Sequence, residues 1–345
     1  MSRLHRQGGR LALAAMALAL VASACGDSQA SGSGGSNLSG EIVVSGSSTV
    51  EPISALVAEK FQTENPNVSI AVEGPGTGDG FEFFCNGETD ISDASRPIEP
   101  EEQDACKKNG IEYVELKVGI DGITVLTSPE NTAVECLDYK DLYALLGPES
   151  KGFENWSDAN QIGEAIGAAH VPYPNAPLVI TAPGAESGTY DSFAELVLEG
   201  IAEKRGLPEE KWVPRPDYQA SPNDNVIIEG ISGSEMSLGW VGFAFYEQNQ
   251  ETVRAIPIAE EGDDCVEPTT ETIGDGSYPI ARDLFIYVNA ANVEENGAVE
   301  EFVNFYLSDE GLAAVSEVGY VDQPADEIQA TIDTWESRTT GTKAG

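Results

Sequence analysis

Short runs of β-branched and aliphatic residues recur along this chain. Each is followed by a loop of Gly, Ser and Thr and then by apolar residues at helical spacing, an alternation that few folds satisfy. "EIVVSG" (Glu41–Gly46) reads as a buried strand. It runs into "SSTVEPISALVAEKFQTENP", where Ser48 or Thr49 can cap a helix and Pro52 suits its first turn. Ile53, Leu56, Val57, Lys60 and Phe61 fall on one helical stripe, and Asn65-Pro66 ends it. "VSIAVEG" is the next strand, "GPGTGDG" opens the helix "FEFFCNGE", and "DISDASRP" gives a strand end and a polar loop. Further strands are expected in "GITVLTSP", "PLVITAP", "SLGWVGFAF", "VRAIPI" and "RDLFIYV". Helices are expected in "LDYKDLYALL", after Thr189, and as a pair in "EEFVNFYLSDEGLAAVSEVGY". The pattern predicts an α/β protein with a mainly parallel sheet, whose ligands lie beyond the carboxyl ends of the strands. No internal repeat is evident, which argues against solenoids and propellers.

The N-terminus reads as an address. Arg3, His5, Arg6 and Arg10 precede the apolar run Leu11 to Ala22, and "SACG" follows. That run is too short for a membrane span of about 20 residues, and its basic start and small-residue end make a secretory signal. Cys25 after Ala22-Ser23-Ala24 resembles a bacterial lipobox, so residues 1–25 are expected to be a lipoprotein signal with lipid attached to Cys25. Residues 26–40 are a flexible Gly/Ser tether reaching roughly 20 Å. The folded part that follows runs about 300 residues, enough for two lobes.

The full chain has a formal net charge of −41, and removing residues 1–25 takes away three arginines and no acid, leaving −44. Nucleic acid and anionic lipid surfaces are poor partners for such a body. Four cysteines remain after Cys25, namely Cys85, Cys106, Cys136 and Cys265. An even count in an exported chain argues for two disulfides, with three pairings open. No C-x-x-C spacing exists and His170 is the one histidine of the mature chain, so no metal site is expected.

Three loops stand at matching strand-to-helix positions: "GSSTV" (Gly46–Val50), "GPGTGDG" (Gly74–Gly80) and "ESGTYD" (Glu186–Asp191). A fourth, "DASRP" (Asp93–Pro97), adds the arginine Arg96. One such loop is an ordinary helix cap. Several together supply hydroxyls, backbone N–H groups and a guanidinium, the donors that a desolvated tetrahedral oxyanion needs.

These residues carry a resemblance. "GSSTVEPIS", "FCNGETDISDASRPI", "SGTYDSF" and "LGWVGFAFYEQN" resemble, in order and over about residues 41–335, the substrate-binding lipoprotein of the high-affinity phosphate ABC transporter, the PstS family. The resemblance implies a class II, two-lobed periplasmic-binding-protein fold with mixed sheets flanked by helices and a ligand cleft between the lobes. It implies lobe 1 from residues 41–124 and 281–345, and lobe 2 from 125–280. By the same likeness, Ser48, Thr49, Val50, Thr77, Ser95, Arg96, Ser187, Gly188 and Thr189 are expected to bind phosphate. Two departures stand out. Ser95 occupies the place of the acid that takes the phosphate's proton in familiar members, and Pro183 stands where they have an arginine. Arg96 is expected to supply the missing charge, with Asp79 and Asp121 as candidate proton acceptors.

Pairing within lobes, Cys85 with Cys106 and Cys136 with Cys265, leaves the hinge free and is the expected arrangement. The function implied is extracytoplasmic binding of inorganic phosphate by a lipid-anchored monomer on the cell membrane, for delivery to ABC permease subunits, without a cofactor. Sulfate, molybdate or phosphite is the alternative ligand. A secreted hydrolase is disfavoured, because His170 has no obvious serine partner, no G-x-S-x-G elbow exists and no H-x-D or D-x-D metal cluster appears.

Overall fold

A computed structural model describes residues 38–343 apart from 186, 261 and 263. The signal, Cys25 and most of the tether lie outside the described residues. Eight strands follow one another in the main sheet, in the order β2 (Val68–Glu73), β1 (Gly40–Gly46), β3 (Ile91–Ala94), β11 (Ala281–Asn289), β4 (Tyr113–Thr127), β8 (Ser237–Gly242), β6 (Val179–Ala182) and β7 (Gln219–Ala220). The short β9 (Arg254–Ala255) pairs with β4 off this path, and β5 (Leu137–Asp138) pairs with β10 (Ile258–Ala259) in a separate two-stranded sheet.

The sheet is mixed, as the resemblance implies, rather than mainly parallel. β1 runs parallel to β2 and β3, and β6 runs parallel to β7 and β8. β4 and β11 run against their neighbours. β4 is a single strand of 15 residues, longer than the expected "GITVLTSP". It pairs with β11 up to Gly122 and with β8 from Ile123 onward, so one strand serves two half-sheets.

Alternation along the strands builds separate cores on the two faces. Leu284, Ile286 and Val288 of β11 join Ile42, Val44, Ile53, Val57 and Phe61, where β1 packs on α1 (Glu51–Glu64). Phe285 and Tyr287 point the other way, onto Phe81 and Phe84 of α2 (Thr77–Cys85) and onto Cys106 of α3 (Pro100–Asn109). Past Gly122 the apolar residues of β4 change partners. Ile123 and Val125 pack with Leu142 and Leu145 of α4 (Tyr139–Leu146), with Trp156, Trp240 and Phe193. Cys85 is bonded to Cys106, and Cys136 to Cys265.

Helix starts differ in detail from the sequence reading. α2 begins at Thr77, inside the glycine-rich turn, because Gly76 takes φ +121° just before it. Neither Ser48 nor Thr49 caps α1. Ser47 Oγ instead accepts from the N–H of Thr49 (3.2 Å) and, more weakly, of Val50 (3.4 Å). In "LDYKDLYALL" the first two residues are strand, and Asp138 caps the helix that follows.

Candidate functional site

The four loops at the strand ends converge. Gly46, at the end of β1, has φ +153°, and a Cβ there would stand 2.0 Å from the Asp93 carbonyl oxygen, so the close approach of β3 requires glycine. Ser47 N–H donates to that same carbonyl (2.8 Å), and Gly76 N–H donates to Gly46 O (2.9 Å), tying the Gly46–Val50 loop to the Asp93–Pro97 and Gly74–Gly80 loops. The hydroxyls of Thr77 and Ser95 lie 3.1 Å apart, and Ser95 N–H donates to Thr77 Oγ1 (3.2 Å).

The loop that holds Ser187, Gly188 and Thr189 comes from the other half. Ser187 caps α6 (Gly188–Phe193), its Oγ accepting from Thr189 N–H at 3.2 Å. A Cβ on Gly188 would reach within 3.6 Å of Ser48 O and 3.7 Å of Thr49 Cα, so the two loops face each other at close range. Behind them Phe193 stacks on Trp240 with ring centroids 4.3 Å apart, fixing α6 on β8. The first turn of α6 then meets the β1 loop. Ser48 Oγ lies 3.5 Å from Asp191 Oδ2, and Thr49 Oγ1 lies 3.2 Å from Ser192 Oγ.

The guanidinium at this meeting point is Arg282, at the start of β11. Its side chain is 9% exposed. Nη2 donates to Ser192 Oγ (2.8 Å) and Thr49 Oγ1 (3.1 Å), and Nη1 pairs with Glu195 (2.6 Å). Glu195 belongs to a π-helical turn, Ala194–Glu199, that continues α6. Across the β4–β11 ladder Arg282 stands opposite Asp121, whose Oδ2 lies 3.5 Å from Nε. Neither atom has a hydrogen bond among the described residues, and both are buried. Burial raises the Asp121 carboxyl above its ordinary range, partly offset by Arg282. Asp191 is raised for the same first reason, with Ser48 opposing and Glu195 reinforcing the shift.

Arg96, expected to carry the ligand's charge, is paired here with acids at the start of the following helix. Nη1 and Nη2 grip the two carboxylate oxygens of Glu102 at 2.9 and 2.8 Å, and Glu99 lies 3.5 Å from Nε. Glu99 and Glu102, at the start of α3, lie within reach of the loop and pair with Arg96. Its guanidinium also sits 5.6 Å from the Phe81 ring centroid. Of the candidate acceptors, Asp79 is exposed on α2 while Asp121 is inside the cluster. Ser48, Thr49 and Gly188 come together, and Thr77 with Ser95 forms the adjoining pair. Val50 N–H is turned toward Ser47 Oγ.

Sequence reading passed over Arg282, Ser192, Asp191 and Glu195. The available signal was slight: an arginine opening the apolar strand "RDLFIYV", and an acid inside the apolar run "VGIDGITV". Only strand register sets the two opposite each other.

Beneath the first loop, Asp93 is fully buried. Ser54 Oγ donates to its Oδ1 (2.9 Å) and lies 3.1 Å from Tyr306 Oη. Burial pushes the Asp93 carboxyl up to about 7, against the Ser54 hydrogen bond and with Glu51 adding to the rise. A separate cavity of about 570 Å³, lined by Tyr139, Ile166, Leu196, Ile201 and Arg205, lies outside this convergence, and Arg205 is committed there to Glu149.

Two half-sheets joined by crossing strands, with strand-end loops of both halves meeting around one buried arginine, define a two-lobed ligand-binding receptor. A family model described as a PBP superfamily domain matches residues 31–310. Protein SphX of Synechococcus elongatus is 38% identical over 87% of this chain and 83% of its own length. The phosphate-binding protein PstS of Staphylococcus aureus is 34% identical over 92% and 89%. A possible phosphate-binding protein from Planctomyces limnophilus superposes with a TM-score of 0.78 at 35% identity, covering 87% of this chain and 99% of that one. The chain belongs with these SphX- and PstS-type proteins of the PBP superfamily.

Proposed function

We propose that this protein binds inorganic phosphate outside the cytoplasmic membrane and delivers it to an ABC importer. The observation that carries the reading is the buried cluster of Arg282, Thr49 and Ser192, which draws its donors from both halves of the chain. The relatives' printed names point to the same ligand. Residues 41–124 and 281–345 act as one lobe and 125–280 as the other, swinging about the crossing of β4 and β11. Ser48, Thr49, Thr77, Ser95, Ser187, Gly188 and Thr189 supply hydroxyl and N–H donors, and Arg282 supplies the charge. Cys25 carries the lipid anchor, and the protein meets its permease subunits as a monomer. It is a receptor rather than an enzyme, and His170 is engaged by Asp141 rather than by a serine.

Phosphate is favoured over sulfate by the carboxylates. Asp121, Asp191 and Glu195 surround the arginine, and a ligand that brings its own O–H can donate to one of them. Sulfate has only acceptors to offer, and its oxygens would face like charge. Calorimetric titration with phosphate, sulfate, molybdate and phosphite tests this. Phosphate is expected to bind at micromolar or tighter concentration with sulfate at least about a hundredfold weaker, a difference of ~2.8 kcal/mol. Equal affinities would refute the assignment.

A further inference from the structure

The Cys136–Cys265 disulfide differs in its surroundings from Cys85–Cys106. Cys85 and Cys106 are both buried in an aromatic core, 2% and 1% exposed. Cys136 is buried but Cys265 is exposed, and a ring nitrogen of His170 stands with the two sulfurs inside a sphere of contacts no longer than 4.8 Å. His170 is itself fixed. Its Nδ1 is hydrogen-bonded to Asp141, a fully buried carboxylate that also accepts from Tyr173 Oη (2.7 Å) and from Asp138 N–H (2.8 Å). The His170 backbone N–H reaches the same carboxylate at 3.3 Å. Residues 136, 170 and 265 are far apart in sequence, and the fold alone gathers them.

We propose that opening this disulfide creates a Cys₂His site for a zinc-like divalent cation. An external dithiol is the reductant. One of its thiolates attacks Sγ of the more exposed residue, Cys265, the Cys136–Cys265 bond breaks, and its electron pair leaves on Cys136 Sγ. The second thiolate attacks the mixed disulfide, releasing Cys265 as thiolate and the reductant as a cyclic disulfide. The two protein thiolates and His170 Nε2 then bind the cation, with water in the fourth position. A tetrahedral zinc with Zn–S bonds of ~2.3 Å spaces its sulfurs by about 3.8 Å. The Cα atoms of Cys136 and Cys265 are 6.2 Å apart, which allows that spacing through side-chain rotation. Asp141 on Nδ1 supplies the outer carboxylate that orients a ligating imidazole and keeps Nε2 as the ligand atom. The buried pair has no such histidine among the described residues.

The test uses the mature chain in anaerobic, phosphate-free buffer, opened with graded tris(2-carboxyethyl)phosphine and titrated with zinc chloride against a colorimetric chelator. The oxidised chain is expected to take up no stoichiometric zinc and the opened chain one equivalent. Zinc should shield Cys136 and Cys265 from iodoacetamide in peptide maps while Cys85 and Cys106 stay linked. His170→Ala should weaken zinc binding at least about tenfold and leave phosphate binding unchanged. Equal zinc uptake before and after reduction, protection of Cys85 and Cys106 instead, or unaltered affinity in His170→Ala would each overturn the proposal. So would loss of phosphate binding on reduction, since the ligands are held together by the fold.

Discussion

Arg282 Nη2 donates to Ser192 Oγ at 2.8 Å, joining the strand that closes one half-sheet to the helix that opens from the other. The same nitrogen reaches Thr49 Oγ1 at 3.1 Å. One guanidinium therefore reads whether the two loops are together, and a tetrahedral anion between them would take up its donors.

Replacing that guanidinium should cost more than any other single change in the cluster. Arg282→Ala is expected to weaken phosphate binding by about a hundredfold or more, ~2.8 kcal/mol, and Arg282→Lys to recover part, because lysine keeps the charge but loses the planar fork. Arg96→Ala, which releases Glu102, should change affinity by less than about threefold, ~0.7 kcal/mol. Calorimetry on the three variants decides between the two arginines.

Asp121 sets the second expectation. Its carboxyl is buried opposite Arg282, and on the proposed reading it opposes any ligand that cannot donate a hydrogen bond. Asp121→Asn should narrow the preference for phosphate over sulfate by about tenfold, ~1.4 kcal/mol, as read by competition binding. An unchanged ratio would move the discriminating role to Asp191 or Glu195.

The third concerns Asp93 and pH. Its native carboxyl titrates near 7, well above the ordinary value of 3.8, so between those values the folded chain holds a proton that the unfolded chain has released. Stability from this group is fully present below about pH 4 and is lost as pH rises through 7, by roughly 4 kcal/mol. Asp93→Asn keeps a neutral side chain throughout and should remove this part of the slope. Urea midpoints at pH 5 and pH 8 for the two proteins supply the comparison.

Gly46 gives a steric expectation. A methyl group there meets the Asp93 backbone at 2.0 Å, and no flexible side chain can move aside. Gly46→Ala should destabilise the chain by about 3 kcal/mol or more and weaken phosphate binding by displacing Ser48 and Thr49. Thermal melting followed by titration of the folded fraction separates the two effects.

Much of this protein can be read along one dimension. Strands such as Glu41–Gly46 and helices such as Glu51–Glu64 follow from local periodicity, because burying one face demands a fixed spacing of apolar residues. The hydroxyl-and-glycine loops are likewise local, since capping and close backbone approach need those residue types wherever they occur. What the sequence leaves open is every relationship set by strand register or by side chains meeting from distant segments. Arg282 opposite Asp121, Arg96 claimed by Glu102, and His170 beside Cys136 and Cys265 are contacts of that kind. The energy of each depends on a distance of a few ångströms that no spacing along the chain encodes. The sequence by itself determined the α/β alternation and the hydroxyl-and-glycine make-up of the loops. The tertiary structure alone decided that Arg96 pairs with Glu102 and Arg282 with Glu195 and Asp121, because an ion pair needs its charges within a few ångströms of each other.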